Sequence, residues 1–196
     1  MHIQRLHADH AAAYRALMLE AYAAAPEAFT STPEDRVDLP LSWWRQRLEH
    51  PQGLSQVFGA FAHPAGDSGA LDAFSAPCLV GAVAVEYADR SKTRHKAHLA
   101  GLYVQAAHRQ RGAGDQLLQA ALAAARAQPG VCVLQLTVTE GNAPALALYA
   151  HHGFAAFGTE PMAVATPQGY ASKVHLWTHW QPADAESPAA VGTAAA

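Results

Sequence analysis

The stretch from His95 to Val138 constrains the fold more than any other part of the chain. It opens with the apolar run HKAHLAGLYV, passes through the polar link QAAHRQ, and reaches RGAG. The segment that follows, RGAGDQLLQAALAAARAQPG, places Leu117, Leu118, Ala121, Leu122 and Ala125 on one helical face and stops at Pro129-Gly130. VCVLQLTV comes next, a continuous β-branched strand consistent with burial on both faces. Strand, glycine turn, helix and strand in succession belong to an α/β fold.

The flanking segments supply the other elements. HIQRL alternates as a short strand does, and Asp9 precedes a helix whose Tyr14, Leu17, Met18 and Tyr22 recur at helical spacing up to Pro26. A polar, proline-punctuated connection, EAFTSTPEDRVDLP, leads to a second predicted helix, LSWWRQRLE. QVFGAFAH and CLVGAVAVEYA read as two antiparallel strands joined by an enlarged loop over residues 63–77. Asn142 precedes the short helix APALALYAHH, ended by Gly153, and FAAFG and SKVHLWTHW give two final strands. Residues 1–180 therefore read as one domain, and 181–196, almost devoid of large apolar residues, as a disordered tail.

Composition excludes several classes of function. Thirteen Lys and Arg against sixteen Asp and Glu give a net charge of −3, which is no footprint for nucleic acid. The N-terminus lacks the apolar core of a signal peptide, and no run approaches the length of a membrane span. Cys78 and Cys132 both sit in apolar runs, expected to be buried packing in a reducing, cytoplasmic setting. Twelve scattered histidines form no ligand motif, and no metal is expected.

The chemistry centres on Arg109, Gln110, Arg111, Gly112, Ala113 and Gly114. A helix opening on small residues presents unpaired N–H groups and the positive end of its dipole, and two arginines add charge-assisted bonds to an anion. A tight turn with no ligand would use the same glycines. Leu117 stands where a dinucleotide-binding G-x-G-x-x-G needs its third glycine, and no Gly-Lys-Ser/Thr is present for a P-loop.

With GLYV-x4-R-x-R-G-A-G followed by N-A-P-A-L-A-L-Y-A-H-H-G-F, the chain resembles the GNAT superfamily of acyl-CoA-dependent N-acetyltransferases, closely over Lys96–Phe154. The resemblance implies a mixed, mostly antiparallel sheet of about seven strands with about four helices. It also implies acetyl-CoA as co-substrate, with pantetheine against Leu102, Tyr103 and Val104, pyrophosphate on Arg109 to Gly114, and a further contact from Asn142. Tyr149 matches the general acid that protonates the leaving thiolate; without the resemblance it reads as an aromatic anchor of a short helix beside Leu146 and Leu148. His98 occupies the position where one branch carries a glutamate base. Glu86 competes with it, and water chains or backbone carbonyls are a further route.

On the acceptor side, Phe29, Trp43 and Trp44 are candidates for an apolar slot, and Glu34, Asp35, Asp38 and Glu160 for attracting a cationic amine. The tryptophans read alternatively as helix core and the acids as a solvated turn. The expected partner is a small amine or a protein amino group, and homodimers are common among resembling proteins. The rival function is a GNAT-like domain that binds CoA or an acyl-CoA as a sensor and transfers nothing.

Overall fold

The computed structural model describes residues 1–63 and 76–181. The expected enlarged loop and the C-terminal tail lie essentially outside the described residues. Seven strands form one sheet: β1 (His2–Arg5), β2 (Ser55–Ala62), β3 (Cys78–Tyr87), β4 (Lys96–Val104), β5 (Val133–Thr139), β6 (Ala155–Thr166) and β7 (Gly169–His179). Their order is β1-β2-β3-β4-β5-β7-β6, and only the β4–β5 pair is parallel.

Among the described residues five α-helices flank the sheet: α1 (Ala11–Ala24), α2 (Glu34–Val37), α3 (Leu41–Leu48), α4 (Ala113–Ala127) and α5 (Ala143–His151). The fifth, beyond the expected four, is α2, a single turn inside the connection whose prolines argue for irregular chain. Its short length leaves no hydrophobic periodicity to detect. Among the described residues no helix is long and apolar enough to cross a membrane.

Two cores lie on opposite faces of the sheet. On one, Leu117, Leu118, Ala121, Leu122 and Ala125 of α4 pack on Val83, Val85, Leu99, Leu134 and Leu136. On the other, Tyr14, Leu17 and Met18 of α1 and Trp44 and Leu48 of α3 pack on Val57, Ala82 and Ala84. Central strands β3 and β4 are thus covered on both sides.

Three expectations are corrected. Cys78 is exposed at the start of β3 and Cys132 only half-buried before β5, because both stand at strand ends where the cores stop. β5 is buried on the α4 face through Leu134, Leu136 and Val138, while Gln135 and Thr137 on its other face are half-buried. FAAFG is only the beginning of a twelve-residue strand; β6 and β7 form a long edge hairpin closed by Pro167 and Gln168. Most of β6 is exposed and lacks the alternation that marks a half-buried strand.

Candidate functional site

The parallel ladder between β4 and β5 is short. It pairs Lys96 with Val133, Ala97 with Leu134 and His98 with Gln135, and then ends. Beyond His98 the strands diverge, β4 staying on β3 and β5 on β7. The β3–β4 register slips between Ala82 and Ala84, and Gly101 lies there at φ 65°, a left-handed bulge that a side chain would strain. The resulting cleft, about 180 Å³, is lined by Leu99 to Leu102 on β4, Thr137 to Thr139 on β5, Phe29 and Thr30, His98, Asn142, Tyr149 and Lys173. Backbone groups on its open strand edge are available to an extended ligand.

The turn before α4 is built for an anion. Gln110 at φ 58° and Gly112 at φ 78° take left-handed conformations and reverse the chain. Gly112 caps α4 and its carbonyl accepts from the Gln116 N–H at 3.0 Å, leaving the amides of Ala113, Gly114 and Asp115 outside the helical ladder. Arg109 clips the turn to the strand, its Nε donating to the Val104 carbonyl at 2.9 Å and its guanidinium lying 5.6 Å from the Tyr103 ring centre. Arg111 is exposed. The carboxylate of Asp115, which would repel an anion, is turned onto His152 Nε2 at 2.6 Å and Gln119 Nε2 at 2.7 Å. His151 brings a third potential ligand atom within 4.8 Å of that pair.

At the other end of the cleft, Asn142 caps α5, its Oδ1 accepting from the Ala145 N–H at 3.2 Å. Tyr149 is 6% exposed and packs edge-on to Phe154 with ring centres 5.6 Å apart. Burial pushes its phenol well above the usual tyrosine range, so it keeps its proton at neutral pH. It is both the aromatic anchor of α5 and a residue lining the cleft.

A sequence model of the acetyltransferase (GNAT) family matches residues 17–154. The chain belongs to the GNAT family of acetyltransferases. Solved GNAT structures share its fold. A GNAT-family acetyltransferase from Streptococcus pneumoniae is 21% identical, covering 91% of this chain and 99% of its own, with a TM-score of 0.75. YncA, a putative acetyltransferase from Salmonella typhimurium with its cofactor acetyl-CoA, is 18% identical over 96% of this chain and 98% of its own, TM-score 0.72. A ribosomal-protein-alanine N-acetyltransferase from Brucella melitensis is 21% identical over 92% of this chain and 100% of its own, TM-score 0.70. No curated relative matches the sequence significantly.

His98 and Tyr149 both line the GNAT cleft, and Glu86 does not. His98 and Glu86 face each other across β4 and β3, but only His98 lines the cleft. His98 is exposed at the edge of the cleft, yet neighbouring atoms desolvate its imidazole and lower it below the usual histidine range; Glu86 opposes this, while His175 and Lys173 reinforce it. Glu86 Oε1 lies 2.6 Å from Arg47 Nη2, which occupies it as an ion-pair partner. Arg47 is held above the usual arginine range, the attraction of Tyr14 and Glu86 outweighing the effect of burial.

A second cavity adjoins the GNAT cleft and shares Phe29, Thr30, Ala100 and Gly101 with it. Its other walls include Tyr14, Tyr22, Trp43, Arg36 and Arg47. Phe29 and Trp43 thus line one cavity, whereas Trp44 is fully buried core. Glu34, Asp35 and Asp38 are exposed and line neither cavity, and Glu160 lies in β6 against His175 at 3.2 Å. The charged residues at the slot are Arg36 and Arg47, which sequence reasoning missed. Helical spacing places Arg47 opposite the exposed Arg45, but only the packing of α3 on α1 and β2 decides which one faces inward.

Proposed function

We infer that this GNAT acetyltransferase moves an acetyl group from acetyl-CoA to a primary amine by direct attack in a ternary complex. The observation that carries the reading is the junction of two cavities at Ala100 and Gly101, one containing proton-bearing Tyr149 and the other open to an acceptor. Acetyl-CoA supplies the acyl group as a thioester. The residues present fit it: a bulged strand edge at Leu102, Tyr103 and Val104, a cationic turn of exposed amides from Arg109 to Gly114, and Asn142 beside the cleft.

The amine nitrogen forms the new C–N bond as the C–S bond breaks. The ammonium loses two protons overall, one to solvent and one replaced on sulfur. Tyr149 is the candidate donor to sulfur, since a thiolate with a pKa of about 8.5 needs no strong acid. Backbone N–H groups of β4 near the Gly101 bulge stabilise the charge developing on the carbonyl oxygen. His98, neutral at pH 7, is the candidate that relays the ammonium proton to solvent.

Calorimetric titration with acetyl-CoA, with ATP and NAD as controls, followed by thiol release against a panel of amines, tests the reading. Micromolar binding of acetyl-CoA alone and amine-dependent thiol release support it. Binding without transfer to any amine identifies a sensor, and absence of binding removes the acetyl-CoA assignment.

A further inference from the structure

The acceptor cavity has a charge pattern opposite to the one a polycationic substrate needs. Neither its walls nor those of the adjoining cleft include an aspartate or glutamate, while Arg36, Arg47 and Lys173 all contribute to them. Glu86 offsets Arg47 and Glu160 faces Lys173, but a polyamine entering this space would still meet the charge of Arg36 and no carboxylate on the walls.

The two arginines differ in what they have left to offer. Arg47 is satisfied by Glu86. Arg36 pairs with no carboxylate among the described residues, yet its guanidinium is fixed: Nε and Nη2 donate to Ser31 Oγ at 3.3 and 3.1 Å, and the group lies 4.9 Å from the Trp43 ring centre. Both Nη1 protons and one on Nη2 remain, a planar fork matched to an oxyanion. Tyr14, Tyr22, Phe29 and Trp43 line the same cavity with aromatic surface.

We propose that the acceptor is an amine bearing its own carboxylate and an apolar side group, an amino acid or close analogue, with Arg36 binding the carboxylate. Such a molecule brings one negative charge for the unpaired guanidinium, an apolar portion for the aromatic walls, and the amine at the Ala100–Gly101 junction. A peptide N-terminus, whose α-carboxylate is lost to an amide bond, lacks the recognised group. This inference rests on the acetyltransferase reading.

The test separates the two. Acetyl-CoA binding by the wild-type protein and by Arg36→Gln is measured first, with thermal melts to establish folding; failure of the wild type to bind removes the acetyltransferase reading and this inference with it. Thiol release is then followed with L-phenylalanine, L-tyrosine, L-tryptophan and L-methionine, each beside its carboxamide and its decarboxylated amine, and with spermidine. The expected result is a kcat/KM at least ten-fold higher for an acid than for its carboxamide and decarboxylated partners. Arg36→Gln lowers the acid's value at least ten-fold, chiefly through KM, moves the carboxamide's far less, and is partly rescued by Arg36→Lys. Equal or better use of carboxamides or spermidine, equal losses for all acceptors in Arg36→Gln, or no reaction with any acceptor despite acetyl-CoA binding would overturn the proposal.

Discussion

His152 Nε2 lies 2.6 Å from Asp115 Oδ1, and this contact joins the end of α5 to the first turn of α4. The helix carrying Tyr149 is thereby tied to the turn that presents its amides to an anion. His152→Ala leaves the Asp115 carboxylate held by Gln119 alone and freer to turn toward those amides, where it competes with an incoming phosphate. Acetyl-CoA affinity is expected to fall several-fold, and Asp115→Asn added to the same variant to restore most of it. Calorimetry on the two variants checks both directions.

Gly112 at φ 78° disfavours a side chain, and an acidic one would set negative charge at the helix N-terminus. Gly112→Asp is expected to weaken acetyl-CoA binding at least ten-fold with little loss of secondary structure. Unchanged affinity would show that this turn holds no phosphate.

Tyr149→Phe removes the hydroxyl and keeps the packing against Phe154. Turnover with a responsive amine is expected to drop at least ten-fold while acetyl-CoA affinity stays within about two-fold, a split typical of groups acting mainly in the transition state.

His98 titrates below the usual histidine range, so it is neutral at pH 7 and gains its proton only as the pH falls below about 6.5. If it relays the proton, kcat/KM has an acid limb with its midpoint under that value. His98→Gln is expected to abolish the limb, measurable from the pH dependence of thiol release.

Stability should fall in alkali. Burial raises Tyr14 and Tyr87 to about 12, so between about pH 10 and 12 the unfolded chain loses protons that the folded chain retains. Stability is thus full below pH 10 and declines toward 12 by up to about 1.4 kcal/mol per pH unit for each tyrosine. The Tyr87 hydroxyl is buried with no hydrogen-bond partner among the described residues. Tyr87→Phe is therefore expected to stabilise at neutral pH by about 1 kcal/mol and to flatten the alkaline decline in urea melts.

The sequence was most legible where periodicity and capping agree. The α4 face from Leu117 to Ala125 and the Asn142 cap both follow from spacing and residue type. The acceptor's charge environment was not legible. Glu34, Asp35 and Asp38 look poised to attract an amine, but the single turn of α2 leaves them in solvent and directs Arg36 onto Ser31 and Trp43. Orientation on so short an element is fixed by contacts with α3, far weaker in the sequence than a hydrophobic stripe. The choice between His98 and Glu86 likewise depended on an ion pair to Arg47 that spans 39 positions of chain.

From Ala23 to Trp43 no residue is fully buried, although this stretch supplies Phe29, Ser31, Arg36 and Trp43 to the acceptor cavity. The cavity wall is thus of two kinds, buried core from α1 (Tyr14, Met18 and Tyr22) and this exposed segment. On the proposed reading, substitutions at Arg36 or Ser31 change the charge offered to an acceptor, whereas the α1 wall, being core, changes only at a cost in packing.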